Sequence, residues 1–541
     1  MGGDVCDRTG ADRGEVTCCV IAFLCMATPT STNSPSPAHP QFDLAAAATA
    51  EMVREGFHPV YPQGTDAQIA QIRAALGRTL DPEAKDLRGL DWSSVDNDTS
   101  RDLDQIEVAE RVDGGIRLMV GIADVGASVA KGTPIDQHAA DQTQTVYTAV
   151  KNFSMLPTEL STDMTSLNEN EDRAAHVIEF LVDAAGVVGA TSIYAAVVRN
   201  KAQLAYSKVG PWLEGSGAAD AKVAASAELQ GQLKLQDEAA VALKAQRVKL
   251  GALEFSRVEA DPVVVDGKVQ SIETAFHNRA SDLIEELMIA ANETMAKTMR
   301  VAKRSSIRRV VRSPERWARI VELVARCGTT LPAEPDSGAL NAFLQKRQVE
   351  DPAHYPDLSL AIIKLMGPGE YVLAKGTDDD VPGHFGLAAQ DYAHSTAPNR
   401  RFADLVTQRL VTAWLKNEEP PYSDDELTAI AAHCNERESA ARKVERAMIK
   451  RTAAVALAGS VGKTFHGVIT GANDKGTYVR VFDPPVEGKI VHGANGLDVG
   501  DTVDVTLVHT DPQHAFIDFS HGAGQSDVKA NHGAKGTSAH G

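Results

Sequence analysis

The 541-residue chain has no apolar run approaching the ~20 residues a helix needs to cross a bilayer, which leaves no place for a membrane-spanning helix. Cysteine is scarce in the body. Four of the six (Cys6, Cys18, Cys19 and Cys25) crowd the start, and Cys327 and Cys434 alone offer neither a disulfide framework nor zinc spacing. Positive charge is also short. A formal charge of −19 excludes a protein that coats nucleic acid non-specifically, but allows a local basic channel leading to an acidic, metal-filled centre. The apolar run Val16 to Met26 lacks the cationic start of a secretory signal, so a cytoplasmic protein is expected, with Met26 a candidate natural start. What the chain does have is 43% hydrophobic residues, enough at this length to fill roughly two to four domains.

The most informative stretch is Leu90 to Glu107, LDWSSVDNDTSRDLDQIE. Its acids are interleaved with Trp92, Val95, Leu103 and Ile106, so it is more than a solvated charge run. Asp102 and Asp104 stand two apart, which on an extended backbone puts both side chains on one face, where hard oxygens without a cation would repel. The apolar run Ile116 to Val125 predicts a buried strand, so the acidic segment should enter the edge of a sheet. Three readings compete: an acidic surface loop, a Mg²⁺ site for phosphodiester chemistry, and an EF-hand-like calcium loop with ligands at Asp96, Asp98, Ser100, Asp104 and Glu107. The last lacks its sharp-turn glycine, Arg101 standing there, and has no evident flanking helices.

SVDNDTSRDLDQ resembles the signature of the ribonuclease II / ribonuclease R (RNB) family of 3′→5′ exoribonucleases, in which aspartates at this spacing hold catalytic Mg²⁺. The family pattern has four aspartates and ends in a double Asp. This chain matches three, Asp96, Asp102 and Asp104, and carries Gln105 at the fourth. Five further blocks follow in the family's order: GIADVGASVAKGTPID, VYTAVKNFSMLPTELSTDMTSL, GALEF, SDLIEELMIAAN and HFGLAAQDYAHSTAPNRRFADL. The last departs from the family's Thr-Ser-Pro-x-Arg at Ala397.

The fold class expected is α+β multidomain. Residues 1–41 read as a Pro/Ser/Thr-rich disordered leader. Residues 42–85 carry two helical patterns, the second capped by Thr65 or Asp66, as a helix-turn-helix-like unit whose second helix has only Arg73 and Arg78 as cations. Packing and nucleic-acid binding are both open for it. The stretch before the acidic motif is too short for the cold-shock domains that relatives carry. Residues 86–457 form one large mixed α/β RNB catalytic domain, with Glu228 to Leu250 and Ser281 to Lys303 as long helices. Residues 458–521 alternate short strands with Gly, Asp and Pro turns, as a five-stranded OB-fold barrel does. Residues 522–541 read as a disordered tail.

The resemblance implies a processive, hydrolytic exoribonuclease that releases nucleoside 5′-monophosphates from RNA with a free 3′ end, single-stranded at least at that terminus. A catalytically inactive RNA-binding regulator is the rival. Mg²⁺ (or Mn²⁺) would be held by Asp96, Asp102 and Asp104, and Asp104 is the acid expected to matter most. Arg400 would meet the charge that builds on the phosphate, with Arg401 beside it on the substrate. Asp124 reads as a structural or supporting acid. Tyr147 and Phe255 would clamp terminal bases, and Glu285 and Glu445 would accept from ribose hydroxyls, the groups that distinguish RNA from DNA. Tyr478 and Arg480 would belong to a stacking face on the barrel, where Phe465 and Phe482 are candidates for either that face or the interior. A monomer is expected, with no membrane partner.

Overall fold

The computed structural model describes residues 42–76, 83–256, 259–265, 268–275, 277–352, 354–377 and 381–522. The expected leader, the tail from 523 onward and Arg78 lie outside them.

The centre is a seven-stranded sheet: β1 (Lys85–Asp86), β2 (Ser93–Asp96), β3 (Gln105–Val112), β4 (Gly115–Ala123), β5 (Asp172–Val182), β6 (Val188–Arg199) and β7 (Ala202–Ala205). The spatial order is β1-β6-β5-β4-β3-β2-β7, antiparallel except for the edge pairs β1 with β6 and β2 with β7. The apolar run read as a buried strand is β4. It is hydrogen-bonded on both sides, to β3 and β5, and its continuous hydrophobicity reflects cover on both faces. Asp113 and Gly114 turn β3 into β4 as a two-residue hairpin loop, with Gly114 at φ 92°, which a side chain would resist. The acidic segment joins β2 to β3 near the sheet edge. Strands flank it on both sides, which removes the EF-hand reading.

Two long helices, Ala227–Lys249 and Arg279–Val301, lie within two residues of the predicted spans and pack their apolar residues into the same core as the sheet. The second starts on an Asn278–Ser281 capping box. A 34-residue helix, Asp424–Leu457, is longer than both. It opens on a Ser423–Glu426 capping box and is about 50 Å long at 1.5 Å per residue. Its sequence shows no single apolar stripe because it buries different faces in turn. Ala440, Ala441, Val444 and Met448 meet Leu44, Ala48, Met52 and Phe57, whereas Ala453, Ala454 and Leu457 enter the C-terminal barrel.

The predicted N-terminal helices are Leu44–Arg54 and Thr65–Ala75. The first therefore docks on the long helix. Gly64, at φ 97°, caps the second instead of Thr65 or Asp66. Thr65 is already helical, and its hydroxyl donates to the Pro62 carbonyl at 2.8 Å. Gln68 joins this helix to the helix Pro134–Gln142, bonding Thr133 and the Ile135 N–H, and Arg73 pairs with Asp163 at 3.4 Å.

The paired strands β8 (Glu259–Val265) and β9 (Lys268–Ala275) precede the second long helix, and β10 (Ser306–Val310) pairs with β11 (Glu370–Ala374). Three helices between the latter two build a separate apolar cluster around Trp317, Phe343 and Tyr355. The C-terminal strands β12 (Thr464–Asn473), β13 (Gly476–Phe482), β14 (Pro485–His492), β15 (Thr502–Asp511) and β16 (Phe516–His521) close into a barrel of order β12-β13-β14-β16-β15. Val479, Val505, Leu507 and Phe519 fill it. Phe465 leans edge-on against Phe519 and is partly interior, whereas Phe482 stays 45% exposed beside His466.

Candidate active site at the acidic loop

Leu103 governs how the acidic loop is presented. Its side chain is buried, its N–H donates to the Ser166 hydroxyl at 3.0 Å and its carbonyl accepts from the Leu167 N–H at 3.0 Å. On an extended backbone, anchoring Leu103 inward turns Asp102 and Asp104 to the other side together. Asp96 closes β2, where its carboxylate accepts from the Ser100 hydroxyl at 3.0 Å and the Asn97 N–H at 2.7 Å.

A second loop, residues 395–401, meets the first. Buried Asp404 holds it in place by accepting from the Ala397 N–H and the Arg401 guanidinium, both at 2.8 Å. Asn292 fixes Ser395 through its backbone and side chain at 2.8 Å each. The loop so held presents the Asn399 N–H to Asp104 at 2.9 Å and the Arg400 Nε to its other oxygen at 3.3 Å. Asp104 is 1% exposed, and burial pushes its carboxyl up to about 7 against the opposing pull of Arg400 and the Asn399 N–H. Burial also raises Asp96, with Asn97, Ser100 and Arg400 resisting.

Tyr147 completes the group, its hydroxyl donating to Asp102 at 2.9 Å. Its backbone in turn bonds Glu445, whose carboxyl burial raises. Arg400 and Tyr147 keep 45% and 41% of their surface open although protein crowds both. Both side chains thus stay accessible to solvent next to the buried Asp104 carboxyl.

The structure thus brings Asp96, Asp102, Asp104, Arg400, Tyr147 and Glu445 to one place. Other predicted residues sit elsewhere or are otherwise engaged. Arg401, one position beyond Arg400 and expected on the substrate, is instead turned inward onto Asp404. Phe255 packs against the helical cluster around Trp317 and Tyr355. Glu285 is half exposed, 3.6 Å from His277, whereas its neighbour Glu286 is buried against Arg247. Tyr478 is half-buried on β13, and Arg480 pairs with Asp357 of the helix Tyr355–Met366, which tethers the barrel to the main body. Asp124 accepts from the Ala127 N–H at 3.1 Å, a turn-stabilising role. Asn399 was not legible as a site residue because it acts through its backbone N–H. Glu107, buried and without a hydrogen-bond partner on either oxygen, was legible only as an acid inside an apolar strand.

The donor set suits a hard divalent cation: carboxylate oxygens, no thiol and no imidazole. The three aspartates do not all converge within 4.8 Å; among the described residues the acid and histidine cluster that does is His277, Asp282 and Glu285, partly exposed on the helix Arg279–Val301. Asp102 is turned to the Tyr147 hydroxyl, and Asp104 to the Asn399 N–H and Arg400.

The Asp104 carboxyl also makes a stability prediction. A buried acid raised to about 7 keeps its proton in the folded state while the unfolded chain loses it near the ordinary 3.8. Stability of metal-free wild type relative to Asp104→Asn should therefore fall as pH rises from about 4 to about 7, then level off. Thermal melts of both proteins in chelator across that range check it, and a flat difference would contradict the assigned burial.

Sequence comparison agrees with this architecture. The RNB domain family matches residues 84–417, and the RNase II-type exonuclease C-terminal S1 domain matches residues 463–521. Ribonuclease R of Escherichia coli is 30% identical over 454 residues, covering 80% of this chain and 54% of that protein. Ribonuclease R of Aquifex aeolicus is 28% identical over 463 residues, covering 84% of this chain and 63% of its own. The chain thus spans about half to two thirds of these relatives' length. Among solved structures, Mycoplasma genitalium RNase R in complex with double-stranded RNA superposes with a TM-score of 0.77 at 25% identity, covering 88% of this chain and 83% of that one. Yeast Ssd1, described as a pseudonuclease, shares the fold at a TM-score of 0.62 and 16% identity, covering 81% of this chain and 53% of that one. With an RNB domain model matched over more than half of its residues and an S1 domain behind it, the chain belongs to the RNB family.

Proposed function

We propose that the chain is a processive, Mg²⁺-dependent 3′→5′ exoribonuclease that hydrolyses RNA to nucleoside 5′-monophosphates. The observation that carries this reading is buried Asp104, clasped by the Asn399 N–H and Arg400 beside Asp96 and Asp102, with the Arg400 and Tyr147 side chains exposed next to it. Direction, processivity and product are what the family resemblance implies. RNA as substrate is supported by the RNA-bound Mycoplasma genitalium relative.

Asp96, Asp102 and Asp104 would hold Mg²⁺, or Mn²⁺ in its place. A divalent ion bound there supplies an activated water and compensates charge on the phosphate. The chain's own residues do the rest. Arg400 presents an exposed guanidinium to the phosphate, where paired N–H donors match oxygens whose charge rises toward the transition state. Tyr147 offers an exposed ring on which any base can stack, so the grip needs no sequence preference. Glu445, held at the Tyr147 backbone, is positioned to accept from a ribose hydroxyl. Glu285, Arg401, Phe255, Tyr478 and Arg480 have their present partners or packing to give up before they could touch RNA. No described helix is long and apolar enough to cross a membrane, and a cytoplasmic monomer is the accompanying reading.

The test is a time course with Mg²⁺ on end-labelled single-stranded RNA and on duplex RNA with a 3′ overhang, product lengths resolved. Progressive shortening from the 3′ end with release of 5′-monophosphates is expected. RNA that stays bound yet survives Mg²⁺ intact would favour the second reading, an RNA-binding regulator with an inactive site, which Gln105 supports because it replaces an acid of the family pattern.

Tyr147 yields a narrower expectation. Tyr147→Ala should lengthen the limit product by about a nucleotide or more because a stacking surface is lost, whereas Tyr147→Phe should preserve product length. Denaturing gels of completed digests read this directly. An unchanged product in the alanine variant would make Tyr147 a support for Asp102 alone.

A further inference from the structure

The segment that carries Tyr147, residues 143–155, is held from two sides. On its inner side it meets the loop that presents Arg400. The Thr145 N–H donates to the Arg400 carbonyl at 3.0 Å, and the Phe402 N–H donates to the Thr143 carbonyl at 2.8 Å. Val146 and Phe153 exchange backbone hydrogen bonds at 3.0 and 2.9 Å, which closes the turn between them, and the Met155 N–H donates to the Thr145 hydroxyl at 3.0 Å. Neighbouring residues on an extended backbone point to opposite sides. Val146 is accordingly 0% exposed, whereas Tyr147 is 41% exposed and reaches Asp102.

The outer side is the N-terminal helical unit. Val146 and Phe153 share one apolar cluster with Leu44, Ala48 and Met52 of the helix Leu44–Arg54, and with Val444 and Met448 of the long helix that carries Glu445. Lys151 Nζ donates to the Thr49 hydroxyl at 3.3 Å. Tyr61, in the connection between the two N-terminal helices, donates its hydroxyl to the Ser154 carbonyl at 2.9 Å. The helix Pro134–Gln142, which leads into the segment, is gripped as well: His58 meets Asp141 at 2.7 Å, and Gln68 accepts from the Ile135 N–H at 3.0 Å. The same unit has little to offer a nucleic-acid backbone. Its cations among residues 42–75 are Arg54 and Arg73, and they pair with Glu51 and Asp163.

We propose that the N-terminal helical unit is a positioning element of the active site: Met52 and Tyr61 hold residues 143–155 in place and so set where the Tyr147 ring meets the end of the RNA. The inner bonds fix the segment at residues 143 and 145. The turn beyond them, which begins at Tyr147, is anchored through the side chains of Val146 and Phe153, and these lie in the cluster to which Met52, itself 0% exposed, belongs. Tyr61 holds the far end of the segment at Ser154. This inference rests on the reading of Tyr147 given above.

The experiment compares wild type with Met52→Ala, Met52→Leu and Tyr61→Phe as full chains, by amide hydrogen exchange without RNA and by the limit products of RNA digests. In Met52→Ala, exchange within residues 143–155 should speed up about tenfold or more relative to β4 and β5 of the same protein, because a buried side chain is truncated under the turn. Its limit product should lengthen by about a nucleotide or more, as expected of Tyr147→Ala, and Met52→Leu should restore both readouts. Tyr61→Phe removes one hydrogen bond without leaving a cavity and should shift both readouts the same way by less. Met52→Ala combined with Tyr147→Ala should give the product length of Tyr147→Ala alone, since the two act through one ring. Unchanged exchange at 143–155 in both Met52→Ala and Tyr61→Phe overturns the inference, and so does a loosened segment with a wild-type product while Tyr147→Ala lengthens it. Weaker RNA binding in chelator by these variants at wild-type product length would overturn it too, making the unit an RNA contact. If Tyr147→Ala itself leaves the product unchanged, the reading of Tyr147 falls. The positioning inference then stands if the loosened segment lowers kcat through Arg400, and is overturned if kcat is that of wild type.

Discussion

Asp104→Asn is expected to lower the rate of RNA cleavage by at least roughly 10²–10³-fold, the scale on which a single electrostatic group at a reacting phosphate acts, while RNA affinity in chelator stays near wild type. The substitution removes the carboxylate's negative charge and leaves the side chain's shape nearly unchanged. Its amide can still accept from the Asn399 N–H, the 2.9 Å bond that ties the two loops together. The folded state should not suffer, because a buried charge is being removed from a site that is 1% exposed. Single-turnover cleavage with Mg²⁺, filter binding without it, and a melting curve separate the three effects. Loss of RNA binding at unchanged stability would show that Asp104 holds the strand, not the cation.

Arg400 should give the second large effect, of a different kind. Arg400→Ala is expected to cost roughly 10²–10³-fold in kcat with a smaller change in KM, because the guanidinium is worth most when charge builds on the phosphate. Arg400→Lys should recover only part of this, since an ammonium cannot make the forked pair of bonds a phosphate accepts from arginine. Arg400 also restrains the Asp104 carboxyl, which burial has already lifted to about 7. Removing the cation lets that carboxyl rise further, so in chelator the pH-dependent loss of stability assigned to Asp104 should extend to higher pH in Arg400→Ala. A loss confined to KM would reassign Arg400 to ground-state binding.

Arg400 and Arg401 show how far adjacent residues can diverge in role. Both are cations in one motif, and residue type alone does not say which is exposed; the family resemblance gave the phosphate to Arg400 and set Arg401 beside it on the substrate. The choice is made by Asp404, three positions beyond Arg401 and fully buried, which draws Arg401 inward and leaves Arg400 outside. Glu285 and Glu286 divide the same way, being about 100° apart around their helix. Arg247, on the neighbouring long helix, takes Glu286, and Glu285 is left half exposed. The helix Asp424–Leu457 escaped periodicity because its apolar positions serve the N-terminal helix at one stage and the barrel at another.

The sequence by itself determined the chemistry that can occur: hard oxygen donors spaced two apart around an anchored leucine, an apolar run that must be a covered strand, and alternating short strands that close a barrel. These are local properties, set by backbone periodicity and by which side chains tolerate water. Tertiary structure alone decided which acid is buried and clasped, which of two neighbouring arginines stays exposed, and that Glu107 lies in the core with no cation beside it among the described residues. The first of those outcomes depends on a residue about 300 positions away, Asn399 against Asp104, and proximity of that kind exists only once the chain has packed.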